Sequence, residues 1–275
     1  MLVTIYIPTR NRLSLLKRAI QSVKEQNYCE IELIVVDDGS HDGTKEFLAA
    51  CESRGELKAM YQETAAGACA ARNLAIAASN GVFVTGLDDD DCFIAKNKIS
   101  NYVIQWQRSP QKLAGLFDGA KVLSNGRIEE LFTNRYVDFL DLRRSNYVGN
   151  QVFAPKHHFV EAGLFDPEMP AWQDWDLWLR MSRLYGGFAN IRLFGTLIDE
   201  GCASDRISLR SQDVIREAMH KLVNKLGPLS SREKSYLISA LHAYPQVRPT
   251  ISEIVTIMAG RRVQASLSSI SKLVR

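Results

Sequence analysis

Across its first hundred residues the chain alternates short apolar runs rich in β-branched residues with segments of helical period. That is the pattern of βαβ units, and it restricts the fold to the α/β class, a mixed and mostly parallel sheet flanked by helices. The apolar runs predict strands near 2–7, 32–36, 57–61 and 82–87. Between them Leu13, Leu16, Ile20 and Val23 share one helical face, "DGTKEFLAACES" opens with capping residues, and "ACAARNLAIAAS" is rich in helix formers.

After about residue 110 the regularity loosens. "LAGLFDGAKVLSNGRIEELF" carries Asn125-Gly126 between apolar segments, which predicts an antiparallel hairpin added to the sheet, and "YVGNQVFA" reads as another strand. From Ser208 the pattern is helical, interrupted by Gly227-Pro228, Pro245 and Pro249, so a main domain over 1–207 and a helical C-terminal appendage over 208–275 are expected. A formal net charge of +3 on 275 residues gives no argument for nucleic acid. The five cysteines are odd in number, widely spaced and without a C-x-x-C pair, which speaks against a zinc site or disulfide framework and fits a reducing cytoplasm. No basic region precedes the short apolar run of "MLVTIYIPTRNR", and no stretch of about 18 apolar residues occurs, so neither signal peptide nor membrane span is expected.

Open parallel sheets bind ligands outside the carboxyl ends of their strands, where loop amides and helix N-termini converge. Three polar sequences fall at such ends: Pro8-Thr9-Arg10-Asn11-Arg12 after the first strand, Asp37-Asp38-Gly39-Ser40 after the second, and the run Asp88-Asp89-Asp90-Asp91 after the fourth. Four adjacent carboxylates repel one another and need a compensating cation. Mg²⁺ or Mn²⁺ takes such hard oxygen ligands, usually one or two carboxylates with water and phosphate oxygens. Taken alone, the run reads equally well as a solvated acidic turn, and "VVDDGS" as a turn or helix cap.

In order and spacing, "IPTRNR", "IVVDDGSHDGT" and "ACAARNLAIAASNGVFVTGLDDDD" resemble the nucleotide-sugar-binding half of the family 2 glycosyltransferases, and the likeness resumes at "VEAGLFDPEMPAWQDWDLWLRM". The resemblance implies the GT-A fold, with residues 1–100 binding the nucleotide sugar and 101–207 the acceptor. It implies that Asp88-Asp89-Asp90 stands at the family's D-x-D motif, with Asp90 the direct metal ligand and Asp88 near the ribose or a metal-bound water. Asp37, Asp38, Pro8 and Thr9 would meet the nucleoside, and Arg72 the diphosphate, with Arg10 and Arg12 as further candidates for that role. The family's acidic pair before a helix is here Gln173-Asp174, so Asp174 stands at the catalytic base while the first acid is replaced. Trp172, Gln173 and Trp175 would face the acceptor. Where the family often carries a histidine after that helix, this chain has Asp199 and Glu200.

The implied reaction moves a sugar, with inversion, from a nucleotide sugar (a UDP-hexose is favoured) to a hydroxyl of a glycan or lipid-linked acceptor in bacterial surface polysaccharide synthesis, with Mn²⁺ or Mg²⁺ as cofactor. Residues 261–275 carry Arg261, Arg262, Lys272 and Arg275 with Val263, Leu267, Ile270 and Val274 at helical spacing. Such a segment either lies on a membrane surface, on the cytoplasmic face, or packs on the protein. His157-His158 reads as a surface or helix-start pair rather than a metal site, and Trp178 as core. Three other readings are open, one of them a sugar-1-phosphate nucleotidyltransferase, which would need a Gly-rich, basic phosphate loop after the first strand where this chain has "PTRNR". An aspartate-based phosphatase wants a hydroxyl residue where Cys92 stands, and a non-catalytic glycan-binding or scaffold domain of the same fold would bind without turnover.

Overall fold

The computed structural model describes residues 1–109, 112–124, 126–131, 134–201 and 210–260. They form two compact units: 1–139, 147–167 and 174–201 in the first, 140–146, 168–173 and 210–260 in the second.

The first unit opens with β1 (Val3–Thr9), α1 (Leu13–Lys24), β2 (Ile31–Asp37), α2 (Thr44–Ser53), β3 (Lys58–Tyr61), α3 (Ala68–Ala78) and β4 (Phe83–Gly86). All seven residues of β1 are buried, as expected of a central strand covered on both faces. β1 pairs in parallel with β2 on one side and β4 on the other, β2 pairs in parallel with β3, and the sheet order is β3-β2-β1-β4 with a short antiparallel edge strand beyond. The order therefore reverses at β1, the switch point at which ligands enter such sheets. Leu16, Ala19, Ile20 and Val23 form the buried stripe of α1, and they join Ile5, Ile7, Val35, Leu48 and Tyr102 in the core.

The chain continues through β5 (Cys92–Phe93), α4 (Lys98–Arg108), β6 (Gly115–Ser124), β7 (Arg127–Leu131), β8 (Tyr136–Val137), α5 (Phe139–Leu142), β9 (Ala154–Pro155), α6 (Lys156–Glu161), α7 (Gln173–Tyr185) and β10 (Phe188–Asp199). β9 is the edge strand beyond β4. β6 and β7 do pair antiparallel, with Ser124 opposite Arg127 and Gly126 at φ 73°; Asn125 lies outside the described residues. The hairpin is not added to the first sheet, however. It belongs to a second sheet in the order β5-β10-β6-β7, because β6 finds a parallel partner in β10, some seventy residues further on. The strand expected over "YVGNQVFA" shrinks to β9, since residues 147–152 run as a loop whose amides serve another purpose.

The second unit is helical, with α8 (Gln212–Leu226), α9 (Ser231–Leu241) and a helical stretch at 251–260. Ser230 and Glu233 form a reciprocal capping box at the start of α9, and Arg143 donates to the Glu233 carboxylate and, at 3.1 Å, to the Leu226 carbonyl that ends α8. Among the described residues no helix is long and apolar enough to cross a membrane, and the basic segment 261–275 lies outside them.

Candidate active site

The three polar strand ends of the first unit meet. Thr9, the last residue of β1, donates its hydroxyl to Asp89 Oδ2 at 2.8 Å, and Arg12 Nη1 reaches Asp89 Oδ1 at 3.0 Å and Asp90 Oδ2 at 3.4 Å. Asn11, at φ 53°, donates its amide to Ser40 Oγ and accepts from the His41 amide, both at 2.8 Å, which ties the loop after β1 to the loop after β2. Asp37 accepts from the Ser40 amide three residues on at 3.1 Å, closing the turn that holds Gly39 at φ 75°. Asp38 grips the amides of Ala66 (2.6 Å) and Gly67 (2.9 Å), one per carboxylate oxygen, and so fixes the loop that leads into α3. Pro8 is buried within β1, and Arg10 is exposed.

Asp89, Asp90 and Asp91 are 3 to 6% exposed. Burial raises the pKa of Asp89 to about 6 against the opposing pull of Arg12 and the Thr9 hydroxyl. Asp88 faces a different set of donors. Arg72 Nη2, from α3, donates to its Oδ1 at 2.9 Å, as does Gln151 Nε2 at 3.1 Å, while Asn150 Nδ2 donates to its Oδ2 at 3.1 Å and to Asp91 at 3.4 Å. The Arg72 guanidinium lies over the Phe165 ring at 5.3 Å. Arg18, on α1, donates to the Asp90 carbonyl at 2.6 Å and to Asp199 at 2.8 Å, so Asp199 joins the run through a guanidinium.

α7 begins at Gln173, so Asp174 lies in its first turn. Burial raises the Asp174 pKa; the Trp175 amide and Arg72 oppose the rise, and Asp88 adds to it. Asp174 thus lies in the same electrostatic neighbourhood as the Arg72–Asp88 pair. Trp175 and Trp178 are buried, and the Trp178 indole donates to the Gly149 carbonyl at 2.8 Å, immediately before Asn150 and Gln151. In the second unit the Trp172 indole donates to the Tyr244 hydroxyl at 2.8 Å, and Gln173 donates to the Met169 carbonyl at 3.1 Å. His158 is buried at the start of α6, against the Ala114 carbonyl.

The structure therefore joins Thr9 and Arg12 to Asp89 and Asp90, and Arg72 to the adjacent Asp88. Sequence reasoning missed Arg18, Asn150, Gln151 and Tyr6, although a pair of adjacent amides inside the apolar "YVGNQVFA" was a signal that those side chains serve something other than a core. Among the described residues no three His, Cys, Asp or Glu side chains converge as a ready metal centre. The hard carboxylate oxygens of Asp88 and Asp90 fit Mg²⁺ or Mn²⁺ provided that water and ligand phosphate complete the shell.

Residues 4–116 match the model of glycosyl transferase family 2. The chain is 34% identical over 192 residues to the putative colanic acid biosynthesis glycosyl transferase WcaA of Escherichia coli K12, covering 67% of each chain. It is 33% identical over 127 residues to an Escherichia coli UDP-Glc:alpha-D-GlcNAc-diphosphoundecaprenol beta-1,3-glucosyltransferase, WfgD, covering 46% of this chain and 49% of that one. It spans only 28 to 32% of the length of three longer Rickettsia relatives. In fold it is similar to Staphylococcus aureus TarS in complex with UDP-GlcNAc (TM-score 0.67, 18% identity, 87% of this chain and 71% of that one). It is also similar to the Pyrobaculum calidifontis mannosyltransferase PcManGT in complex with GDP-Man and Mn²⁺ (TM-score 0.62, 18% identity, 98% and 79%).

Proposed function

The chain belongs to glycosyl transferase family 2, with the GT-A fold, and from that premise we propose that it transfers a hexose from a UDP-sugar to a hydroxyl of a glycan or lipid-linked saccharide in bacterial surface polysaccharide synthesis. The observation that carries the reading is the meeting of polar strand ends: Thr9 and Arg12 reach Asp89, and Arg72, a guanidinium suited to a diphosphate, holds the adjacent Asp88 at 2.9 Å. The donors named for WfgD and for the TarS complex, both UDP-sugars, support the choice of nucleotide.

Thr9, Pro8, Asp37 and Asp38 hold the nucleoside at the ends of β1 and β2. Arg72 and Arg12 orient the diphosphate. Asp174 takes the proton of the acceptor hydroxyl as that oxygen bonds to the anomeric carbon; the carbon–oxygen bond to the diphosphate breaks on the opposite face, and UDP leaves with the electron pair. One displacement inverts the configuration, so an α-linked donor gives a β-linked product. Asp90 and Asp88 would hold Mn²⁺ or Mg²⁺, which when bound supplies stabilisation of charge developing on the departing diphosphate. From the family resemblance, Trp172, Gln173 and Trp175 are assigned to acceptor contact.

We propose a cytoplasmic enzyme that makes peripheral contact with the cytoplasmic face of the membrane. The helical stretch 251–260 supports this: it exposes Ile251, Ile254, Val255 and Met258 directly before the basic segment. The test of the central reading is release of nucleoside diphosphate from a panel of nucleotide sugars with Mn²⁺ present. Turnover of a UDP-sugar is expected; binding without turnover would leave a glycan-binding domain instead.

A further inference from the structure

Asp88 is held chiefly by neutral donors that come from far along the chain. Gln151 and Asn150 lie some sixty residues beyond it, in the loop between α5 and β9, yet their amides reach both of its oxygens at 3.1 Å. The orientation of Gln151 is itself fixed. The Tyr6 hydroxyl, from the fully enclosed strand β1, donates to Gln151 Oε1 at 3.0 Å, which turns the amide nitrogen toward Asp88. Gly86 leaves the room this needs, because a Cβ there would overlap the Gln151 oxygen and come within 2.5 Å of the Tyr6 ring. From the other side the Trp178 indole holds the Gly149 carbonyl, with Gly149 at φ 95°. An amide orients a carboxylate without neutralising it, whereas a further lysine or arginine would compete with a divalent cation for the same charge.

Building on the transferase reading, we propose that Gln151, with Asn150, is a positioning residue for sugar transfer: a neutral amide clamp, oriented by Tyr6, that fixes Asp88 and through it Arg72 while leaving the aspartate charge to the metal–diphosphate. The residues that set the leaving-group site then include one loop from the half of the chain expected to bind acceptor.

The test compares wild type, Gln151→Ala, Asp88→Asn and the double variant in hydrolysis of UDP-GlcNAc with Mn²⁺ and, by calorimetry, in joint binding of UDP and Mn²⁺. Gln151→Ala is expected to lower kcat by about 10- to 100-fold, to leave the UDP–Mn²⁺ affinity within about twofold, and to add no further loss in the Asp88→Asn background. Tyr6→Phe, which keeps the ring, is expected to lower kcat several-fold with the same dependence on Asp88, and it carries the test should Gln151→Ala fold poorly. Asn150→Lys is expected to weaken Mn²⁺ uptake with UDP about tenfold more than Asn150→Ala does. Unchanged kcat in Gln151→Ala and Tyr6→Phe, losses that multiply with Asp88→Asn, or equal Mn²⁺ affinity in the two Asn150 variants would overturn the clamp. Wild-type protein that turns over no nucleotide sugar overturns the transferase reading itself.

Discussion

Asp174 sits in the first turn of a helix, where the backbone favours a negative charge, yet burial outweighs that influence and raises its pKa. A general base works only when deprotonated. The acid limb of the rate profile is therefore expected to lie above the range of an ordinary aspartate, with activity falling as pH drops through the raised pKa; a limb at or below pH 4 would exclude Asp174 as the base. Asp174→Asn is expected to cut transfer by about 10²- to 10⁴-fold while UDP still binds, read by initial rates and calorimetry. Asp90→Ala, by contrast, is expected to weaken Mn²⁺-dependent donor binding. Asp89, although paired with Arg12, gives a stability signature of opposite sign to that of an acid whose pKa the fold lowers, because burial outweighs the pair. Its pKa is raised to about 6 in the fold, so its ionised form destabilises the native state above that pH, and the penalty fades as pH falls toward the unfolded value near 4. Asp89→Asn is expected to raise the melting temperature at pH 8 and to lose the gain at pH 4. Asp174 and the aspartate run could be singled out from the sequence because each stands in a contiguous motif. Arg18, Asn150 and Gln151 were not, because their partners lie 59 to 181 positions away and only the folded chain puts them in reach.

The elements of the nucleotide-binding half announce themselves through period, since every strand of the first sheet but β9 is an apolar run that ends in polar residues. The second sheet does not, because β6 and β10 gain their partners through long-range pairing, and two register shifts in that pairing blur any alternation. The loop 147–152 reads as a strand for a related reason: its apolar residues do pack, with Val152 buried, while its amides face Asp88. β4 shows how tightly an element constrains its neighbours. Gly86→Ala is expected to destabilise the fold by about 1–3 kcal/mol, as overpacking does, and to lower turnover beyond what the stability change explains, because the added methyl displaces Gln151 and Tyr6 together. Chemical denaturation and kcat on the folded fraction separate the two effects.

For the whole molecule, the position of the C-terminal residues relative to a membrane can be measured directly. Full-length protein is expected to bind anionic vesicles at low salt, and a chain ending at Ser252 to bind less; equal binding would remove the helical stretch and the basic segment from consideration. β1 has a consequence of its own. It is enclosed on both faces and paired along both edges, it ends in Thr9, and it leads directly into the loop that carries Arg12. Its amide protons can exchange with heavy water only when the first unit opens as a whole, so their exchange rates should report its global unfolding.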